Sequence, residues 1–80
     1  MAYSESEREK LVAFGLTVKK LREAKGLSQM ELSFRADLDR TYIGSLERGH
    51  RNVSLLNLIK IADALDVHIS NLFEWAPEKK

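Results

Sequence analysis

The sequence from Ser28 to Gly49 reads SQMELSFRADLDRTYIGSLERG, and the rest of the chain is interpreted around it. It predicts two short helices joined by a tight turn. Ser28 is a suitable N-cap for the first helix, because its hydroxyl can accept a free backbone N–H, and Glu31 completes a capping box. Asp37 is expected to turn the chain, since Asp tolerates the left-handed backbone better than most non-glycine residues. Gly49 is expected just after the end of the second helix.

The apolar residues of the two helices are spaced so that they face each other. Leu32 and Ala36 lie four residues apart on the first helix. Ile43 and Leu46 lie one turn apart on the second, which Asp39 is expected to cap. The outward residues of the second helix provide hydrogen-bonding groups, an aromatic ring and two guanidinium groups: Arg40, Thr41, Tyr42, Ser45 and Arg48. A helix face of this composition suits the DNA major groove.

This arrangement resembles the helix-turn-helix of the Cro/CI-like, or XRE, family of bacterial and phage DNA-binding regulators. The positions that match the family spacing are Gln29, Leu32, Ala36, Leu38, Ile43, Leu46 and Gly49. The resemblance extends from about residue 14 to residue 73. The segment RTYIGSLERGHRN (residues 40–52), followed by SLLN, further resembles the controller proteins of restriction–modification systems. Two residues depart from the family pattern: Asp37 replaces the usual Gly, and Ser33 replaces the usual Ala and needs a backbone partner if buried.

The resemblance implies an all-α, five-helix Cro/CI repressor-like DNA-binding domain with the second helix of the motif in the major groove. The residues implied to contact base edges are Arg40, Thr41, Tyr42 and Ser45, with Arg40 the candidate for a bidentate contact to guanine. The residues implied to contact DNA phosphates are Gln29, Arg48, Arg51 and Asn52. The family also implies a partly buried, bidentate ion pair between Arg22 and Glu47.

Three further helices are predicted outside the motif. The first begins after Ser6 and ends near residue 25; its inward residues are Leu11, Phe14, Val18 and Leu21. The fourth begins after Ser54; its inward residues are Leu55, Leu58, Ile61, Ala62 and Leu65. A short fifth helix covers about residues 70–74, with Leu72 and Phe73 inward. The prediction is one domain over residues 1–80, with the helix-turn-helix at about 28–49 and a dimerisation region at about 54–76.

Apolar residues outnumber the expected core positions near the end of the chain. Small monomers rarely expose such residues together without a use, so helices four and five are predicted to form a homodimer interface. Its candidate residues are Leu56, Ile59, Ile69 and Trp75. The alternative is that Trp75 folds back onto the core of its own domain. A two-fold dimer would place two recognition helices about 34 Å apart, on successive major-groove turns of a palindromic operator.

Composition excludes several other classes of protein. The 80 residues are 44% hydrophobic and 31% charged, which is typical of a single globular domain. Net charge is only +1, but residues 17–52 hold eight Lys/Arg against five Asp/Glu, so positive charge is concentrated around the motif. There is no cysteine, and the two histidines lie 18 residues apart, so no metal site is expected. No catalytic residue, Gly-rich phosphate loop, cofactor or small-molecule ligand is expected, and the chain is not expected to be an enzyme.

The chain is also not expected to enter a membrane. Its longest apolar run is far shorter than the roughly 20 residues that a membrane-spanning helix needs. The first ten residues, MAYSESEREK, carry acidic side chains ahead of any apolar stretch, unlike a secretory signal. We therefore expect a cytoplasmic location.

The predicted function is that of a sequence-specific regulator of transcription that binds double-stranded DNA as a homodimer and serves as a restriction–modification controller protein. Two alternatives stay open. A prophage-type repressor, or the antitoxin of a toxin–antitoxin pair, would have the same fold and DNA chemistry but different neighbouring genes. A protein-interaction module without DNA binding would leave the pattern at Arg40, Thr41 and Ser45 unexplained.

Overall fold

Four α-helices and one 3₁₀ helix make up the computed structural model, which describes residues 2–77. The elements are α1 (Glu5–Ala24), α2 (Gln29–Ala36), α3 (Arg40–Glu47), α4 (Leu55–Leu65) and the 3₁₀ helix (Ile69–Phe73). The all-α prediction is confirmed, although the fifth helix is a 3₁₀ helix. Met1 and residues 78–80, which the predicted domain included, lie outside the described residues. No helix in residues 2–77 is both long enough and apolar enough to cross a membrane.

Capping side chains set where α1 and α2 begin. The capping box predicted for α2 is present: Ser28 Oγ accepts from Glu31 N at 3.0 Å, and Glu31 Oε1 accepts from Ser28 N at 2.9 Å. The predicted cap of α1 at Ser6 is wrong. The helix begins two residues earlier, because Ser4 and Glu7 form a capping box of the same kind. Ser6 lies inside the helix, where its hydroxyl accepts from Lys10 Nζ at 2.7 Å.

The caps and turns around α3 and α4 also follow from single side chains. Asp39 Oδ2 accepts from the backbone N–H groups of the first turn of α3, and Ser54 Oγ does the same for α4. Asp37 and Asp66 both adopt the left-handed conformation, with φ of 55°, and end α2 and α4. The prediction that Asp37 turns the chain in the left-handed conformation is thereby confirmed. Ser33, the other departure, is buried and donates to Met30 O at 2.6 Å.

The core lies where the inward faces of the four α-helices and the 3₁₀ helix meet. Its fully buried side chains are Val18, Leu32, Ile43, Leu46, Ile61, Leu65 and Leu72. The inward assignment of Leu55 is wrong, because exposure falls along α4 from 66% at Leu55, through half-buried Leu58, to zero at Ile61. The first turn of α4 therefore lies at the edge of the core. Phe73 is also more exposed than predicted, and its ring packs sideways, 6.4 Å from those of Phe14 and Trp75.

A glycine lets α1 approach the end of α3. A Cβ at Gly15 would lie 2.6 Å from Glu47 O and would also collide with Leu46 O. Both neighbours are backbone atoms, which cannot move aside as a side chain would. Gly49, directly after α3, has φ of +80° and lies against Val12 of α1. These close contacts fix the position of α3 against α1.

Candidate nucleic-acid interface

Burial changes sharply along α3 after its first turn. Residues 43–47 are all buried, whereas Arg40, Thr41 and the C-cap residue Arg48 are exposed. Tyr42 is half-buried. The helix therefore presents polar and cationic side chains to solvent while its inward side packs against the domain.

A buried ion pair joins Glu47, the last residue of α3, to Arg22 of α1. Arg22 Nε donates to Glu47 Oε2 at 2.7 Å, and Arg22 Nη2 donates to Glu47 Oε1 at 3.0 Å. The side chains of Arg22 and Glu47 are only 10% and 2% exposed. The hydrogen bond with Glu47 raises the pKa of Arg22, and Arg22 Nη1 also donates to Leu27 O at 2.7 Å. The pair has the bidentate geometry expected from the sequence and ties α1 to the end of α3.

The same carboxylate holds Gln29, the first residue of α2. Gln29 Nε2 donates to Glu47 Oε1 at 3.0 Å, and the side chain is half-buried. One amide hydrogen is thus used inside the protein. The second amide hydrogen of Gln29 is not used in this contact.

Ser45 is placed differently from its predicted role. It is 8% exposed, and its hydroxyl accepts from Arg51 Nε at 3.1 Å. Ser45 therefore lies below the surface that Arg40 and Thr41 form, and a direct base contact is not what its environment favours. Arg51 and Asn52 are both exposed, in the connector between α3 and α4.

Tyr42 is held from two sides. The Arg51 guanidinium carbon lies 5.4 Å from the centre of the Tyr42 ring, within the range of a cation–π contact. The Tyr42 hydroxyl accepts from Asn57 Nδ2 at 3.2 Å. Sequence reasoning missed Asn57. The signal that could have found it is a polar residue within LLNLI, the apolar first turns of α4.

The predicted dimerisation residues divide into two groups. Leu56 and Ile59 on α4 are 70% and 40% exposed, beside the exposed Leu55. Ile69 and Trp75 instead are half-buried and pack against the core, and Trp75 Nε1 donates to Leu72 O at 2.8 Å. For Trp75 the structure favours the alternative, folding back onto its own domain.

The described part of the chain shows no arrangement suited to binding a metal. No group of three or more His, Asp and Glu side chains in residues 2–77 is placed to hold an ion. His50 is exposed near the end of α3, and His68 caps the 3₁₀ helix by accepting from Ser70 N.

Comparison with known sequences identifies the family. Residues 18–72 match the Helix-turn-helix family. The control protein C.MunI of a Mycoplasma species is 51% identical over 63 residues, which cover 78% of this chain and 85% of that protein. The control protein C.BamHI of Bacillus amyloliquefaciens is 48% identical over 63 residues, which cover 78% of each chain.

Solved structures agree with the sequence matches. The restriction–modification controller protein C.AhdI of Aeromonas hydrophila superposes with a TM-score of 0.80 at 54% identity, over 81% of this chain and 98% of that one. The controller protein C.Esp1396I, solved as a tetramer with its natural 35-base-pair operator, superposes with a TM-score of 0.74 at 38% identity. That match covers 80% of this chain and 84% of the other. This chain therefore belongs to the helix-turn-helix family and, within it, to the controller proteins of restriction–modification systems.

Proposed function

We propose that this chain is a sequence-specific regulator of transcription that binds double-stranded DNA and controls a restriction–modification system from the cytoplasm, without catalysing a reaction. The observation that carries this proposal is the exposed polar and cationic side of α3, held rigid from behind by a buried ion pair. Recognition of base edges needs side chains held in one geometry, which a well-packed helix supplies. The operator complex of the similar protein C.Esp1396I supports the same conclusion.

In this proposal α3 enters the major groove by its first turn. Arg40 reads a guanine through two of its guanidinium N–H groups, and Thr41 contacts the neighbouring base. Arg48 and Asn52 contact phosphates beyond the far end of α3, and Gln29 contacts a phosphate at the start of α2. His50, which is exposed near the end of α3, contacts the DNA backbone in this proposal as well.

The proposed active form is a homodimer. One domain of this size gives a small interface with DNA, so specific control requires two domains on one site. The dimerisation region, predicted at residues 54–76, narrows to the exposed apolar side chains of α4: Leu55, Leu56 and Ile59. Two-fold pairing through α4 would bury these side chains and present two α3 helices to a palindrome.

Selection of bound sequences from a random DNA pool tests the proposal. The expected product is a palindrome whose half-sites are centred about 10 base pairs, or a multiple of that, apart. Affinity for this site should fall linearly with salt on a log–log plot, because bound cationic side chains release counterions. No enriched sequence and no salt-dependent affinity would instead indicate a protein-interaction module without DNA binding.

A further inference from the structure

Four side chains from three segments form one connected cluster beside α3. Tyr42 and Ser45 belong to α3, Arg51 to the connector after it, and Asn57 to the first turn of α4. Ser45 Oγ accepts from Arg51 Nε at 3.1 Å, the guanidinium carbon lies 5.4 Å from the centre of the Tyr42 ring, and Asn57 holds the hydroxyl of that ring at 3.2 Å. The flexible Arg51 side chain is therefore restrained both at one edge and on one face.

The opposite edge of the guanidinium stays available. Arg51 is exposed, and its two terminal nitrogens make no hydrogen bond to any residue between 2 and 77. That edge carries the pair of N–H groups whose spacing matches two oxygens of a phosphate. The cluster thus leaves free the part of Arg51 that suits a bidentate contact to the DNA backbone.

We propose that Ser45 and Asn57 are positioning residues that act through Arg51, orienting its guanidinium for one phosphate of the DNA backbone. This inference rests on the proposed function. Ser45 acts directly through the Nε hydrogen bond, and Asn57 acts indirectly by fixing the Tyr42 ring on which the guanidinium lies. An arginine that is already held in its binding conformation loses less rotamer freedom when it meets its ligand.

A role in positioning Arg51 explains two observations that direct contacts between the protein and DNA bases do not explain. Ser45 is buried, so its hydroxyl cannot serve DNA directly, yet it has a partner that can reach the surface. Asn57 lies on α4, away from the exposed side of α3, yet bonds to a residue of that helix. Through Arg51 both side chains affect the strength of DNA binding rather than the choice of base.

A double-mutant cycle tests the inference on the full chain, using the operator found by selection. Ser45→Ala should weaken binding about 3- to 10-fold and Asn57→Ala about 2- to 5-fold, as expected for freeing one arginine side chain. The losses should be similar on random-sequence DNA, because a phosphate contact carries no base preference. Arg51→Ala should weaken binding at least as much as Ser45→Ala. Adding either positioning variant to Arg51→Ala should then cause less than about a 2-fold further change.

Arg51→Lys provides a second background. Lysine keeps the positive charge but lacks both the Nε donor and the planar fork, so Ser45→Ala and Asn57→Ala should lose their effect there too. The matched control is Ser33→Ala, which removes another buried hydroxyl, bonded to Met30 O in α2. Ser33→Ala should leave DNA affinity unchanged even if it lowers the melting temperature as much as Ser45→Ala does, or more.

The outcomes separate this inference from the proposed function. If the wild-type protein shows no salt-dependent DNA binding, both fail. If the wild-type protein binds but the Ser45→Ala and Arg51→Ala losses multiply in the double variant, only the inference fails. Ser45 would then affect DNA binding independently of Arg51. Asn57→Ala keeps the inference falsifiable if the Ser45 variant is poorly folded, because the Asn57 side chain is half-buried and its backbone N–H keeps its cap at Ser54.

Discussion

The exposed sides of α3 and α4 differ in chemistry although the two helices are neighbours in the chain. On α3 the exposed residues are Arg40 and Thr41, with Arg48 at the cap. On α4 three large apolar side chains are 40–70% exposed: Leu55, Leu56 and Ile59. Exposed polar groups are stable in water by themselves, whereas exposed apolar groups gain free energy when another surface covers them.

One small domain thus carries two separate surfaces of different chemistry, a polar and cationic one on α3 and an apolar one on α4. The α3 surface requires rigidity, and the ion pair of Arg22 with Glu47 supplies it from the inside. The apolar α4 surface would gain free energy from a partner, and in the proposed homodimer two-fold symmetry supplies one with the same side chains. Changes to rigidity, to pairing and to base reading should therefore produce separable effects.

The largest effect is expected from removing the support behind α3. Glu47→Ala would leave the buried Arg22 guanidinium without its carboxylate and would also remove the partner of Gln29 Nε2. Loss of one partner of a buried ion pair costs about 3–5 kcal/mol of unfolding free energy. Urea denaturation followed by circular dichroism measures it.

A compensating double variant serves as the control. Arg22→Met combined with Glu47→Leu removes both charges and should recover part of the loss, because an apolar pair avoids the unpaired buried charge. A loss below about 1 kcal/mol in Glu47→Ala would show that water reaches the pair and that it does not hold α3.

The next effect concerns the apolar surface of α4. Leu56→Asp would place a carboxylate among apolar side chains in the proposed dimer, at about 1–2 kcal/mol per protomer and so about 2–4 kcal/mol per dimer. Sedimentation should show a shift from dimer to monomer at micromolar concentration. The monomer should stay folded, since Leu56 is 70% exposed. Operator affinity should fall, and weak non-specific binding should remain.

Phe34→Asp is the matched control for surface charge. Phe34 is 77% exposed on α2, outside the proposed interface, so the same kind of substitution there should leave the dimer intact. A Leu56→Asp dimer of unchanged affinity would place the interface elsewhere. Unfolding of the variant would mean instead that Leu56 supports the core.

Base reading gives the third prediction. Arg40→Ala should cost about 1–3 kcal/mol on the selected operator and relax the preference at one base position. Fluorescence anisotropy on the operator and on single-base variants measures both quantities. Equal losses on specific and random DNA would show that Arg40 contacts only phosphate.

Substitutions of two other arginines serve as comparisons for Arg40→Ala. Arg48→Ala should weaken binding to all sequences and reduce the slope of log affinity against log salt by about one, as for a phosphate contact. Arg35→Ala removes the same charge from the outer side of α2 and should leave base preference unchanged. Arg40 is distinguished by its effect on preference.

Much of this molecule could be predicted from local sequence. Caps and turns depend on single side chains and their nearest backbone groups, so the capping box of Ser28 and the left-handed Asp37 followed directly from residue type and spacing. The pairing of Arg22 with Glu47 spans 25 residues, and only the family resemblance indicated it. At the first helix start, both Ser4 and Ser6 precede a Glu by three residues, so spacing alone did not decide between them, and the structure uses the earlier cap.

The rest depended on packing that spacing alone does not encode. Ser45 lies on the predicted outward side of α3, but Arg51 folds over that end of the helix and covers it. Trp75 is apolar and near the chain end, which indicated a dimer contact, yet its indole N–H finds a carbonyl within its own turn. The exposure of Ser45 is decided by a side chain six positions away. The exposure of Trp75 is decided by the course of the backbone, which brings the Leu72 carbonyl to its indole N–H.

The smallest predicted effect contrasts the starts of α2 and α4. Both helices have a Ser cap, but α2 has Glu31 at the third position, where α4 has Asn57. The backbone hydrogen bond from Ser28, followed by the Ser28 hydroxyl, lowers the pKa of Glu31 below its ordinary value of 4.5. A lowered pKa in the folded protein means that the carboxylate stabilises α2 above the unfolded-state pKa, and that this contribution is lost as pH falls through the folded-state value.

Glu31→Gln should therefore lower the melting temperature slightly at pH 7, and the difference from wild type should disappear as pH falls through the folded-state pKa of Glu31, which lies below 4.5. Gln still completes the capping box, so the difference isolates the charge near the positive end of the helix dipole. Thermal melts from pH 3 to pH 7 measure it. If the Glu31→Gln difference persists unchanged at pH 3, the charge of Glu31 contributes nothing, and the starts of α2 and α4 are alike in their response to acid.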